Sequence, residues 1–155
     1  MKLYFLRHGI ADWPDWDLAR DHERPLTKDG VKKMKEQAKG LAEIGVQFDV
    51  VLASPYARAY QTADIVAGKL GLEVKTEPRL APGFNVDKLR KIVAEYDQSE
   101  ALLLVGHEPA LSTVIAEITG GGRVQMKKGT LARVDVNYDV QGELVWLLQP
   151  KVLTR

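Results

Sequence analysis

The chain has 155 residues, with 22 Lys and Arg against 21 Asp and Glu, for a formal charge of +1. That balance gives no net field to attract a nucleic acid or an anionic membrane, so any positive potential must be local. Apolar residues make up 45% and cysteine is absent, which excludes disulfides, thiolate catalysis and Cys-ligated metal.

The length fits one domain spanning residues 1–155 with an adequate core. Met1-Lys2-Leu3-Tyr4-Phe5-Leu6 is too short for a signal h-region and is followed at once by Arg7 and His8. No apolar run approaches the roughly 20 residues of a membrane span. The expectation is a monomeric cytoplasmic protein with neither nucleic-acid nor membrane partners.

Residues 3–6 are apolar enough for a central strand and run directly into Arg7-His8-Gly9. Residues 10–26 show no clean period. They carry Asp12, Trp13, Asp15, Trp16, Asp17, Asp21 and Arg24, and read as a long functional loop. Thr27 caps a first helix in which Val31, Met34, Ala38, Leu41 and Ala42 recur at helical spacing, and Gly45 stops it. A strand at 48–52 leads to Ser54-Pro55, which reads as the N-cap and first residue of a second helix ending at Gly71.

Residues 72–76 form a short predicted strand before the loop 77–83. Val86, Leu89, Val93 and Tyr96 mark a third helix. The most apolar strand, 101–105, runs into Gly106-His107-Glu108, and Pro109 opens a helix closed by Gly120-Gly121-Gly122. Residues 131–136 and 143–148 both alternate around the turn 137–142, as an antiparallel hairpin does. Strand–helix alternation followed by a hairpin predicts a three-layer α/β/α fold with a mostly parallel central sheet.

Three segments share one grammar: an apolar strand, a tight turn, then a cationic or imidazole side chain near a helix start. They are Arg7-His8-Gly9, Ser54-Pro55-Tyr56-Ala57-Arg58 and Gly106-His107-Glu108-Pro109. Ligands of open α/β sheets bind beyond the carboxyl ends of the strands. If the first and fourth strands are neighbours, His8 and His107 converge there with Arg7. Arg58 joins them from the first turn of its helix.

Two arginines and two histidines would neutralise a phosphoryl group and hold its oxygens. Surrounding cations disfavour protonation of a histidine, leaving His8 with a free nitrogen for nucleophilic attack. Gly9 would give the backbone freedom to aim the ring, and His107 could donate to a phosphoryl oxygen. The same arginines would repel a metal cation, so no metal is expected.

Leu6-Arg7-His8-Gly9, Ser54-Pro55 with Arg58, Gln61-Thr62-Ala63 and Gly106-His107-Glu108-Pro109 resemble the histidine phosphatase (phosphoglycerate-mutase-like) superfamily. The segment Arg24-Pro25-Leu26-Thr27-Lys28-Asp29-Gly30 looks like its small branch, the SixA-type phosphohistidine phosphatases. The resemblance implies a phosphoglycerate-mutase-like fold and His8 as the phosphorylated nucleophile. It also implies a phosphate pocket completed by Arg7, Arg58 and His107, and hydrolysis without metal or organic cofactor.

Larger relatives place a carboxylic acid in the loop after the second helix or nearby, where it protonates the leaving oxygen. Here that stretch is short. Glu77 is its only carboxylate, and Asp17, with Asp12 and Asp21, offers alternatives in the first loop. Gly9 and Arg24 are further candidates for substrate binding, Arg24 weighed equally as a salt bridge to a loop Asp. An imidazole leaves more readily than an alkoxide and asks less of a general acid, which suits a phosphohistidine protein as substrate. The alternatives are a phosphatase of small sugar or nucleotide phosphates using the same residues, and an inert phosphate-binding module.

Overall fold

The computed structural model describes residues 1–11 and 17–154. Among them the strands are β1 (Lys2–Arg7), β2 (Val50–Ala53), β3 (Val74–Thr76), β4 (Ala101–Gly106), β5 (Leu131–Val136) and β6 (Gly142–Leu148). They form one mixed sheet in the order β3-β2-β4-β1-β5-β6. β1 and β2 both pair parallel to β4, and β2 pairs parallel to β3. β5 runs antiparallel to β1 and to β6, giving the predicted terminal hairpin.

The helices are α1 (Lys28–Glu43), α2 (Ala57–Leu70), α3 (Val86–Glu95), α4 (Ala110–Ile118) and α5 (Pro150–Leu153). Side chains of a strand alternate between faces, so β1 contributes to two separate cores. Leu3 and Phe5 pack with Leu89 and Ile92 of α3 and Leu111 and Ile115 of α4. Tyr4 and Leu6 pack with Met34 and Leu41 of α1 and Ala63 and Val66 of α2. The sheet is therefore covered on both sides, and β4 is buried along its whole length. Leu102, Leu103 and Leu104 are each worth about 1.5–3 kcal/mol of burial, which holds in place the strand that presents His107.

Helix boundaries follow local chemistry in most places. Thr27 Oγ1 accepts the N–H of Gly30 at 2.9 Å, and Gly71 closes α2 in the left-handed region at φ 72°. Ser54 departs from its predicted role. The N-cap of α2 is Tyr56, and Ser54 and Pro55 precede the helix. Ser54 continues the ladder of β2, donating its N–H to Val105 O at 3.0 Å, and its hydroxyl meets the residue that follows β4, His107.

The predicted loop 10–26 is partly structured. Leu18–Glu23 forms a 3-10 helix begun by Asp17, which accepts from Ala19 N. Asp12, Trp13, Asp15 and Trp16 lie outside the described residues. The short α5 has no counterpart in the sequence expectations. It lies so close to α1 that a Cβ on Gly40 would sit 2.5 Å from Leu153 O. Among the described residues no helix is long and apolar enough to cross a membrane.

Candidate active site

Register brings the two histidines together. Arg7 is opposite Gly106 in the β1–β4 ladder, and Ala53 is opposite Val105 in the β2–β4 ladder. His8, Ser54 and His107 are thus the residues that leave three adjacent parallel strands at nearly one level. His8 donates its N–H to Gly106 O at 3.2 Å, and the two imidazole centroids lie 5.4 Å apart. His8, His107 and Arg58 are 6%, 4% and 5% exposed, so the cluster is sunk into the sheet end rather than laid on the surface. Arg7 enters from the β1 side, its Nη1 donating to Met126 O at 2.9 Å.

Protonation follows from these surroundings. His8 Nδ1 is 2.7 Å from Gly9 O. A carbonyl can only accept, so Nδ1 carries the proton and Nε2 presents a lone pair. Burial pushes the His8 pKa down to about 3, with His107, Arg58 and Arg7 adding to the effect against the Gly9 hydrogen bond. Burial likewise lowers His107 to about 4, with Arg58 as the next cause. The sequence predicts depression by cations. Removal from water is the larger cause.

His107 Nε2 lies 2.7 Å from Ser54 Oγ. That oxygen also accepts the N–H of Tyr56 at 3.2 Å, and with its own proton turned to Nε2 the hydroxyl is satisfied both as donor and as acceptor. The ring proton of His107 then sits on Nδ1, which is buried without a partner. Arg7 Nε and Arg58 Nε are buried without partners as well. A buried donor left unpaired costs about 1–3 kcal/mol. Three of them on the side chains around His8 make a site that an oxyanion would complete.

Supporting contacts tie the turn at His8 and Gly9 to α2. Thr62 Oγ1 accepts the N–H of Gly9 at 3.0 Å and donates to Arg58 O at 2.8 Å. Gln61 Oε1 accepts the N–H of Leu26 at 2.8 Å. Gly9 itself meets a steric demand rather than a conformational one: a Cβ there would lie 2.9 Å from Met34 Cγ, and its φ is not positive.

Arg58 is held by Asp21, a carboxylate that the sequence offers only among the loop alternatives. Arg58 Nη1 donates to Asp21 O at 2.9 Å and Nη2 to Asp21 Oδ2 at 3.1 Å. Arg24 donates from Nε to Asp21 Oδ1 at 3.0 Å, the salt-bridge role weighed for it. Burial works against the charge on Asp21, but Arg58 and Arg24 hold its carboxyl below the ordinary range.

The two favoured acids are each engaged by a local partner. Glu77 takes two hydrogen bonds from the Arg79 guanidinium at 2.7 and 2.9 Å and a third from Arg79 N at 3.0 Å. These bonds hold its carboxyl below its usual range, so it stays ionised and has no proton to give. Asp17 is exposed and accepts from Ala19 N at 3.0 Å, closing its own turn. The Glu77-Pro78-Arg79 spacing was the available signal, since a one-turn helix brings those two side chains together.

Residues 3–82 match the family model of the histidine phosphatase superfamily (branch 1). The chain belongs to that superfamily. It is a phosphatase, a hydrolase of phosphate groups, and its fold is the phosphoglycerate-mutase-like one. Arg7, His8, Gly9 and Arg58 fall inside the matched segment, and His107 lies beyond it. The chain is 37% identical to an uncharacterized protein of Picosynechococcus sp., over 99% of each chain. It is 30% identical to the phosphohistidine phosphatase SixA of Escherichia coli, over 97% of this chain and 94% of that one. A solved structure of the protein histidine phosphatase SixA complexed with tungstate superposes with a TM-score of 0.88. Its identity is 27%, and the match covers 99% of this chain and 100% of that one.

Proposed function

We propose that this histidine phosphatase removes the phosphoryl group from a phosphohistidine on another protein, through a covalent intermediate on His8. The lone pair of His8 Nε2 attacks phosphorus in line with the substrate's P–N bond. As the Nε2–P bond forms, the P–N bond breaks and its electron pair returns to the leaving imidazole, which takes a proton from water. Arg7, Arg58 and His107 Nδ1–H hold the three equatorial oxygens and offset the charge that spreads over them. Water then attacks the phosphorus of phospho-His8. The Nε2–P bond breaks, the water's protons remain with phosphate, and His8 returns to its neutral form with Nδ1 still protonated.

The observation that carries this choice of substrate is the engagement of Glu77 by Arg79. A carboxylate held ionised cannot protonate an alkoxide, whereas imidazole departs readily without a strong acid beside it. Similarity to SixA over nearly the whole chain points the same way.

The test is a comparison of kcat/KM for a histidine-phosphorylated protein with that for sugar and nucleotide monophosphates. The phosphohistidine protein should be favoured by about a hundredfold or more, the share that a general acid supplies to ester hydrolysis. A preference for the monoesters would assign the pocket to small metabolites instead.

A further inference from the structure

A cleft of about 700 Å³ opens beside the phosphate-facing residues, with Arg7 and Gly9 in its wall, and runs between α1 and α5. Lys33, Lys127, Lys128 and Lys151 also line it, against Glu36 as the one carboxylate among the described lining residues. Lys33 pairs with Asp29 at 3.1 Å. No ion pair of Lys127, Lys128 or Lys151 occurs among the described residues.

The position of the lysine pair is fixed by backbone contacts to the nucleophile loop itself. Gly129 donates its N–H to Arg7 O at 3.1 Å and to His8 O at 3.2 Å. Lys127 O accepts the N–H of Thr130 at 2.8 Å, closing the turn, and Gln37 Nε2 donates to Gly129 O. Gly129 has φ +83°, and a Cβ there would meet Gln37 Oε1 at 2.8 Å, so only glycine fits this turn. Lys127 and Lys128 therefore stand at a set place relative to Arg7 and His8.

One phosphoryl group is already met by Arg7, Arg58 and His107 and has no use for three more cations in an adjoining groove. Like charges gathered along a cleft focus a field that draws in and orients a polyanion. We infer that this cleft docks an acidic segment of the phosphorylated partner protein while its phosphohistidine occupies the pocket. The inference rests on the phosphohistidine function proposed above, and it names the surface that would distinguish a protein substrate from a small one.

The test uses the full chain with Lys127→Gln, Lys128→Gln and Lys151→Gln combined, and two probes. One is a histidine-phosphorylated protein with acidic residues around its phosphorylated site, and the other is free phosphohistidine. With the protein, KM should rise by about tenfold at unchanged kcat, and the fall of kcat/KM with added salt should become shallower. Free phosphohistidine should be turned over within about twofold of the unaltered rate, because charges at a rim act on docking rather than on chemistry. That arm also reports that the variant is folded. The matching triple Lys→Arg variant should restore the low KM.

An unchanged KM for the protein, or an equal loss on both probes, would overturn the docking role. An unaltered chain that cleaves small phosphomonoesters but neither phosphohistidine probe would instead overturn the proposed function, and this is seen before any variant is made.

Discussion

Ser54 Oγ and His107 Nε2 lie 2.7 Å apart, and with the hydroxyl donating to Nε2 the ring proton is carried on Nδ1. Ser54→Ala should lower kcat by about 10–100-fold with little change in KM, the range seen when the partner that orients a functional histidine is removed. Ser54→Thr keeps the hydroxyl and should recover most of the loss. Nitrogen NMR of His107 separates orientation from general damage: the Nδ1-protonated form should dominate in the parent and give way to a mixture in Ser54→Ala. An unchanged tautomer would remove Ser54 from the account.

Depressed histidine pKa values make the fold sensitive to acid. In the unfolded chain His8 and His107 titrate near the usual value of about 6.5. In the folded chain they do so at about 3 and about 4. The unfolded state therefore binds more protons below about pH 6.5, and stability falls as pH is lowered toward the folded values. His8→Asn should flatten that fall by up to about 1.4 kcal/mol per pH unit, one proton's worth, in urea unfolding between about pH 6 and about pH 4. An identical pH slope in parent and variant would show that His8 is not held neutral.

Gly30 sits inside α1, where alanine is intrinsically better by about 1 kcal/mol. Here the tertiary contact reverses the sign, because a Cβ at this position would press into the backbone carbonyl of Ile10, two residues after His8. Gly30→Ala should cost about 1–3 kcal/mol in chemical unfolding and reduce turnover by displacing the segment that carries His8 and Ile10. A more stable variant would place that segment farther from α1.

Asp21 is the partner of a buried guanidinium. Asp21→Ala leaves Arg58 without the carboxylate and should destabilise the chain by about 1–3 kcal/mol, less than the roughly 3–5 kcal/mol of a fully buried broken pair because Asp21 is part-exposed. Inorganic phosphate should raise the Tm of this variant more than that of the parent, since the anion replaces the missing charge. An equal rise in both would show that Arg58 does not meet the anion.

The strand ends were legible because central parallel strands are continuously apolar and two of them stop at a histidine. Register then did the rest, since β1 and β4 are neighbours and in phase. Ser-Pro is a strong local helix start and points Ser54 to the N-cap, while the deciding contact is with His107, just beyond the end of another strand. The Asp21–Arg58 pair and the lysine turn against His8 join segments far apart in sequence, and nothing in their local patterns announces either partner. Glu77 is the opposite case: its partner is two residues away, and only the turn geometry was needed to see it.

The central claim is that His8 carries the phosphoryl group. The most direct measurement is rapid quenching of the enzyme with a histidine-phosphorylated protein, followed by peptide mass spectrometry under alkaline conditions. One acid-labile phosphoryl group should appear on His8, and His8→Ala should show neither the adduct nor turnover. Turnover at the parent rate by His8→Ala, or label on His107 instead, would contradict the account.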